Sequence, residues 1–325
     1  MLCERPYKSY GTEFRCGHCI PCRIYHRRVW THRMVLESYS HAENCFVTLT
    51  YREEERPESL DKEECKLFFK RFRQQVATDF KRARVRVFYC GEYGDQSNHA
   101  HYHAIIFGYP SCERGDTRYR AVRGSLRFEC CDTCKRVHDA WGHGKVHLGT
   151  VSQRSCQYVA RYVNKKMTSA DDLRLNGRAP EFAEMSRAPG IAIPYVREFL
   201  GPVVARYARS ESDIPVTLAH GGREWPLGRT LRLELKKFLG IDTKNETSLE
   251  ALQKVPEISA FMAQLDQASA PAQEKVEALK KFLIQYEIAR REDVRLRKLV
   301  DDPANKQRIA NLKAREGIYK KRSSI

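Results

Sequence analysis

Between Gly91 and Gly108 the chain reads GEYGDQSNHAHYHAIIFG, and this stretch restricts the fold more than any other. The preceding run Val85–Cys90 is β-branched and aromatic, Gly94–Asn98 is turn chemistry, and His99–Phe107 ends in an apolar run. The pattern predicts a β-hairpin over 85–107, with its second strand beginning at His99. Side chains alternate faces along a strand, so His101 and His103 point the same way, about 7 Å apart. Glu92 stands at the end of the first strand, across the hairpin from them. Two imidazoles and a carboxylate that leave positions open suit a divalent cation, Mg²⁺ or Mn²⁺, that also holds a phosphate oxygen. A single histidine on a strand is ordinarily a half-buried residue with a hydrogen-bond partner; three within five positions call for more. His99 and His101 have the same spacing and form a second pair of this kind.

The flanking sequence supplies the rest of a sheet. Asn44–Tyr51 alternates apolar and polar residues, and Lys145–Val151 is a fourth strand. Leu60, Leu67, Phe68, Phe72 and Val76 recur at helical spacing over 59–80, with Ser59 as the expected cap. Gln153–Met167 reads as a second helix. The order strand–helix–strand–strand–insert–strand–helix predicts an α+β fold, an antiparallel sheet with flanking helices. Three regions are expected: a Cys-rich basic segment over 1–43, a central domain over 44–240 with an irregular insert at 109–144, and a helical region over 241–325 that breaks near 268–272.

The second helix carries its own chemistry. Tyr158 and Tyr162 are four residues apart and share one face, with Lys166 in the same row and Lys165 beside it. Val159, Val163 and Met167 form the adjacent apolar stripe. Two tyrosines at this spacing are by themselves ordinary core-edge aromatics. Beside a metal strand they become nucleophiles: a cation that polarises a phosphate makes tyrosine attack feasible, and a lysine stabilises the developing charge.

Charge and cysteine usage agree with a phosphate-bearing partner. The 58 Lys and Arg against 41 Asp and Glu leave a net charge of +17, which points first to nucleic acid and second to an acidic membrane surface. Arg27, Arg28, Arg33, Arg71, Arg73, Lys81, Arg82, Arg84 and Arg86 are candidate phosphate contacts, Tyr93 and Tyr102 candidate base-stacking rings. Arg290, Arg291, Arg295, Arg297 and Lys298 make the tail a further basic surface. No apolar run is long enough to span a bilayer, and MLCERPYKSYG has no secretory-type apolar segment, so a cytoplasmic location is expected. Among twelve cysteines, Cys16, Cys19 and Cys22 have zinc-ligand spacing, with Cys3 as fourth ligand or His18 or His26 in its place. Cys112, Cys130, Cys131 and Cys134, with His138 or His143 as alternatives, form a second candidate zinc set. Cys45, Cys65, Cys90 and Cys156 read as buried thiols.

Taken together, CGHCIPCR at 16–23, FVTLTY at 46–51, GEYGD at 91–95, HYH at 101–103, YVARYVNKK at 158–166 and MSRAPGI at 185–191 resemble the HUH endonucleases. The likeness is closest to the replication initiators of microviruses in the gokushovirus branch. It implies a ferredoxin- or RRM-like core and rolling-circle initiation in a bacterial host cell. One strand of origin DNA is nicked, the protein stays on the 5′ phosphate, a 3′ hydroxyl is left for the host polymerase behind a host helicase, and the ends are later rejoined. By motif match His101 and His103 are metal ligands with Glu92 as the third, Tyr158 and Tyr162 are nucleophiles, and Lys165 or Lys166 is the accessory group. Two other readings compete. HAHYHAI fits the histidine-triad nucleotide hydrolases, with His101 as nucleophile and no metal. A non-catalytic zinc-containing DNA-binding protein would account for charge and cysteines.

Overall fold

The computed structural model describes residues 2–9, 12–79, 85–94, 98–122, 125–161, 173–207, 214–241 and 256–271, with short pieces between 274 and 314. The chain divides into two compact units, one of Met1–His26 with Gly240–Ile325, the other of Arg27–Leu239.

In the first unit, β1 (Tyr7–Ser9) and β2 (Thr12–Phe14) pair antiparallel, and Tyr7 stacks on Phe14. Pro256–Gln267 is helical and the helix stops before the 268–271 stretch, at the break the sequence predicts. The basic residues of the tail at 290–298 lie outside the described residues. A helix that sequence periodicity did not reveal, α1 (Ile20–Tyr39), runs from the cysteine motif into the second unit. Its arginines and histidines break the apolar stripe that would have marked it.

The second unit is built on a five-stranded antiparallel sheet. Its strands are β3 (Asn44–Thr50), β4 (Arg86–Tyr93), β5 (Ala100–Phe107), β8 (Val146–Thr150) and β9 (Phe182–Met185), in the order β8-β3-β5-β4-β9. The expected hairpin is β4–β5, with Glu92 opposite His101 and Cys90 opposite His103. The strand begins at Ala100, so His99 precedes it. The edge strand β9 falls inside a Gly- and Pro-rich region where its four residues were too few to show alternation.

Helix α2 (Lys62–Asp79) lies on one face of the sheet. Its cap is Asp61, whose Oδ1 accepts the N–H groups of Glu63 and Glu64, and not Ser59, whose hydroxyl accepts Ala179 N–H instead. Phe68, Phe69 and Phe72 of α2 pack with Val47, Leu49, Tyr102, Ala104 and Ile106 of the sheet. The 109–144 insert is not irregular: it contains the hairpin β6 (Tyr119–Val122) and β7 (Ser125–Phe128), then helix α3 (Asp132–Trp141). Val137, Ala140 and Trp141 of α3 join the same core. Helix α4 (Gln153–Ala160), capped reciprocally by Ser152 and Ser155, covers the opposite face. There Cys156, Val159 and Ala160 meet Met34, Phe88, Cys90, Ile105 and Phe107. This is the face on which the odd-numbered histidines of β5 stand. No described helix is long and apolar enough to cross a membrane.

Candidate functional site

Three adjacent strands and one helix converge on a single carboxylate. Glu92 comes from β4, His101 and His103 from β5, Thr48 from β3 and Tyr158 from α4. Glu92 Oε1 lies 2.8 Å from His101 Nε2 and 2.9 Å from His103 Nε2. Tyr158 places its hydroxyl 3.2 Å from His103 Nε2 and 3.4 Å from Glu92 Oε1. Glu92 and His103 are buried, whereas His101 keeps 18% of its side chain exposed. The strand alternation supplies this arrangement. On the same face, Phe46 stacks on the His103 ring at 5.7 Å and meets Tyr158 edge-on.

The donor set fits a divalent cation. His101 Nδ1 lies 3.0 Å from the His99 carbonyl, which can only accept, so that nitrogen carries the proton and Nε2 presents a lone pair in the neutral ring. His103 Nδ1 is held in the same way by Thr48 Oγ1 at 3.0 Å. Two Nε2 lone pairs then face one carboxylate oxygen at hydrogen-bond distance. That arrangement requires either extra protons on buried imidazoles or a cation among the three ligand atoms, which lie within 4.8 Å of one another. His99 takes no part, because its Nε2 turns to Arg56 Nη1 at 2.9 Å. Thr48 and Phe46 were not singled out from sequence. Their signal was the alternation of FVTLTY, which sets Phe46, Thr48 and Thr50 on one face.

Tyr162, Lys165 and Lys166 lie outside the described residues, as do Lys81, Arg82 and Arg84. Other expected DNA contacts are spent inside the fold. Tyr102 is fully buried with its hydroxyl on Asp61 and Tyr51, and burial pushes that hydroxyl well above its ordinary pKa. Tyr93 is 2% exposed and donates to the Ala179 carbonyl. Neither ring can stack on a base; both point away from the histidine face or into the core, as alternation demands. Arg33 is buried, stacks on Trp30 and donates to the Ile191 carbonyl. Arg86 pairs with buried Glu37 and Arg71 with Glu64. Arg28 donates to the Glu224 carbonyl, and Arg73 lies over Phe69.

The cysteines gather as two quartets. Cys3, Cys16, Cys19 and Cys22 converge, as do Cys112, Cys130, Cys131 and Cys134, and His18, His26, His138 and His143 belong to neither group. In the first quartet, burial opposes ionisation of Cys16, yet the backbone N–H groups of Cys19 and His18 outweigh it and bring the thiol down to about 7. Cys45, Cys65, Cys90 and Cys156 are fully buried.

Residues 44–167 match a family model for replication-associated proteins of the ORF2 type. The chain carries this family's domain. It is similar to the Replication-associated protein VP4 of Bdellovibrio phage phiMH2K, 31% identical over 163 residues, 49% of this chain and 50% of the relative. It is also similar to the Replication-associated protein ORF4 of Chlamydia phage 1, 25% identical over 195 residues, and to the Replication-associated protein ORF2 of Spiroplasma virus 4, 29% identical over 193 residues. These matches cover 59% and 56% of this chain and 48% and 57% of the relatives. The chain thus spans about half the length of the curated relatives it matches. No solved structure matches.

Proposed function

We propose that the protein is a rolling-circle replication initiator that nicks single-stranded origin DNA through a tyrosine, in the manner of the HUH endonucleases. The observation that carries this reading is the position of the Tyr158 hydroxyl, 3.2 Å from His103 Nε2 and 3.4 Å from Glu92 Oε1. The match of residues 44–167 to a replication-associated family supports the biological setting.

Glu92, His101 and His103 hold Mg²⁺ or Mn²⁺, which polarises a phosphoryl oxygen of the scissile phosphate. Tyr158 then stands within reach of the phosphorus. Its oxygen forms the new P–O bond as the P–O3′ bond breaks, the tyrosyl proton leaves to a neighbouring base, and the departing 3′ oxygen is protonated to a hydroxyl. The 5′ phosphate stays on the protein as a phosphotyrosine ester, so the bond energy is kept and the reverse attack by a 3′ hydroxyl rejoins the strand. Tyr162 would take turns with Tyr158, and Lys165 or Lys166 would stabilise the developing charge. The host polymerase extends the 3′ hydroxyl behind a host helicase, in the cytoplasm of a bacterial cell.

A histidine-triad mechanism is less well supported, since His101 Nε2 is engaged by Glu92 and His99 is turned to Arg56. The test is incubation with single-stranded origin DNA and Mn²⁺, followed by denaturing electrophoresis. A covalent protein–DNA band is expected, and it is expected to vanish in the Tyr158→Phe/Tyr162→Phe variant. A band that persists in that variant, or cleavage of a free dinucleotide without metal, would overturn the reading.

A further inference from the structure

A cleft of about 1040 Å³ opens beside His101 and His103, and its far side is the insert. Tyr119, Leu126 and Phe128 of the hairpin β6–β7 line it, with Lys145 at its edge. The hairpin is two-faced. Tyr119 pairs with Phe128 and Ala121 with Leu126, so these share the face toward the cleft, while the pair Arg120–Arg127 between them shares the outer face. Leu126 is 50% exposed. Arg120 and Arg127 stand directly opposite each other with no acidic partner among the described residues, an arrangement that is unfavourable unless an anion lies between them. The acids Glu53 and Glu54 also line the cleft, on the side away from the hairpin.

The hairpin is anchored at its base. The Tyr119 hydroxyl accepts Val146 N–H at 2.7 Å, and Thr117 Oγ1 accepts Leu148 N–H at 2.8 Å, which covers the outer edge of β8. The sulfur atoms of Cys112, Cys130, Cys131 and Cys134 meet where the hairpin ends join the start of α3. Cys112 Sγ lies 3.5 Å from Cys130 Sγ and 3.9 Å from Cys131 Sγ. A tetrahedral zinc with Zn–S bonds of about 2.3 Å has sulfur–sulfur edges of about 3.8 Å, whereas a disulfide has about 2.05 Å. The amino-terminal quartet has the same edges, 3.9 Å for Cys16–Cys22 and 3.8 Å for Cys19–Cys3. There Glu4, Cys16 and Cys19 each direct a backbone N–H to a sulfur at 3.4 Å, which favours thiolates.

We propose that the Cys112–Cys130–Cys131–Cys134 quartet binds a structural zinc ion that holds the β6–β7 hairpin as the outer wall of a single-stranded DNA groove leading to the histidine–glutamate site. Bases pack against Leu126, Phe128 and Tyr119 in the cleft, and Arg120 and Arg127 take the phosphates of the strand as it passes over the hairpin. The zinc joins both hairpin ends to α3, which the core holds through Val137 and Trp141. The DNA part of this proposal rests on the initiator reading.

The tests use the full chain. Metal analysis of the wild type is expected to give two zinc ions per chain, one for each quartet, and the zinc absorption edge an all-sulfur shell at about 2.3 Å. The Cys130→Ser/Cys134→Ser variant is expected to retain one. No zinc in the wild type, a nitrogen- or oxygen-containing shell, or two zinc ions in that variant would overturn the site. Because the cysteine variant is prone to misfold, the wall is tested separately with Arg120→Gln/Arg127→Gln, which keeps both zinc ions. Binding of a fluorescent oligothymidine is expected to become less salt-dependent, the slope of log Kd against log salt falling by about 1.4 for two lost phosphate contacts. An unchanged slope overturns the wall. The covalent-adduct assay separates the two readings: adduct with an unchanged slope refutes only the wall, and a changed slope without adduct refutes only the tyrosine mechanism.

Discussion

Thr48→Val tests whether the hydrogen bond behind His103 serves metal binding. Thr48 Oγ1 lies 3.0 Å from His103 Nδ1, on the side of the ring away from Glu92 and Tyr158. A neutral histidine that binds metal through Nε2 carries its proton on Nδ1, so the threonine oxygen accepts it and fixes the tautomer. Valine keeps the β-branch that suits a strand and nearly the same volume, but places a methyl where the acceptor was. Loss of such an outer partner costs about 10- to 100-fold in metal affinity, or about 1.4 to 2.7 kcal/mol. Phe46 still holds the ring plane, with an interplanar angle of 12°, so the effect is expected near the lower end, about tenfold. The assay is Mn²⁺ titration of the full chain, with free Mn²⁺ read by electron paramagnetic resonance, beside thermal melting of the metal-free protein. Weaker Mn²⁺ binding with little change in Tm is expected, and Thr48→Ser, which keeps the hydroxyl, is expected to bind as the wild type does. Wild-type affinity in Thr48→Val, or equal weakening in both variants, would refute the reasoning.

Two further outcomes follow from the same structure. Tyr102→Phe removes a hydroxyl bonded to Asp61 N–H, Asp61 O and the Tyr51 hydroxyl, and is expected to cost about 1–3 kcal/mol in urea unfolding while leaving oligothymidine affinity unchanged; a loss of affinity without a loss of stability would restore the base-stacking role. His32 is fully buried, and burial pushes its pKa down to about 4, partly opposed by the Pro226 carbonyl on Nδ1. The unfolded chain therefore takes up this proton from about pH 6.5 downward while the folded chain resists until about pH 4, so stability is full above 6.5 and falls by up to about 3 kcal/mol as pH drops to 4. His220, lowered by its own burial, adds in the same direction. Unfolding midpoints of wild type and His32→Gln between about pH 7 and 4 check this, with a shallower slope expected in the variant; parallel slopes would refute it.

The sequence by itself determined the elements whose residues repeat with a clear period. Alternation in FVTLTY and HAHYHAIIF predicted β3 and β5, and the turn at 94–98 predicted the hairpin that sets Glu92 beside His101. Cysteine spacing alone brought together the right sulfur atoms for both quartets. What sequence left open depended on partners far along the chain. His101 and His103 rather than His99 meet Glu92 because the strand starts at Ala100 and Arg56, 43 residues earlier, takes His99. Tyr102 and Tyr93 look like exposed rings in a basic protein, yet sheet pleating turns Tyr102 to the α2 face, and the Ala179 carbonyl, 86 residues on, claims Tyr93. Arg33 and Arg86 were countable as charges, but only the tertiary structure supplies Ile191, Glu37 and Pro189 to receive them. Period and spacing are local, so a chain displays them; burial and the choice of partner are set by which elements pack together, and those distances exist only once the sheet has formed.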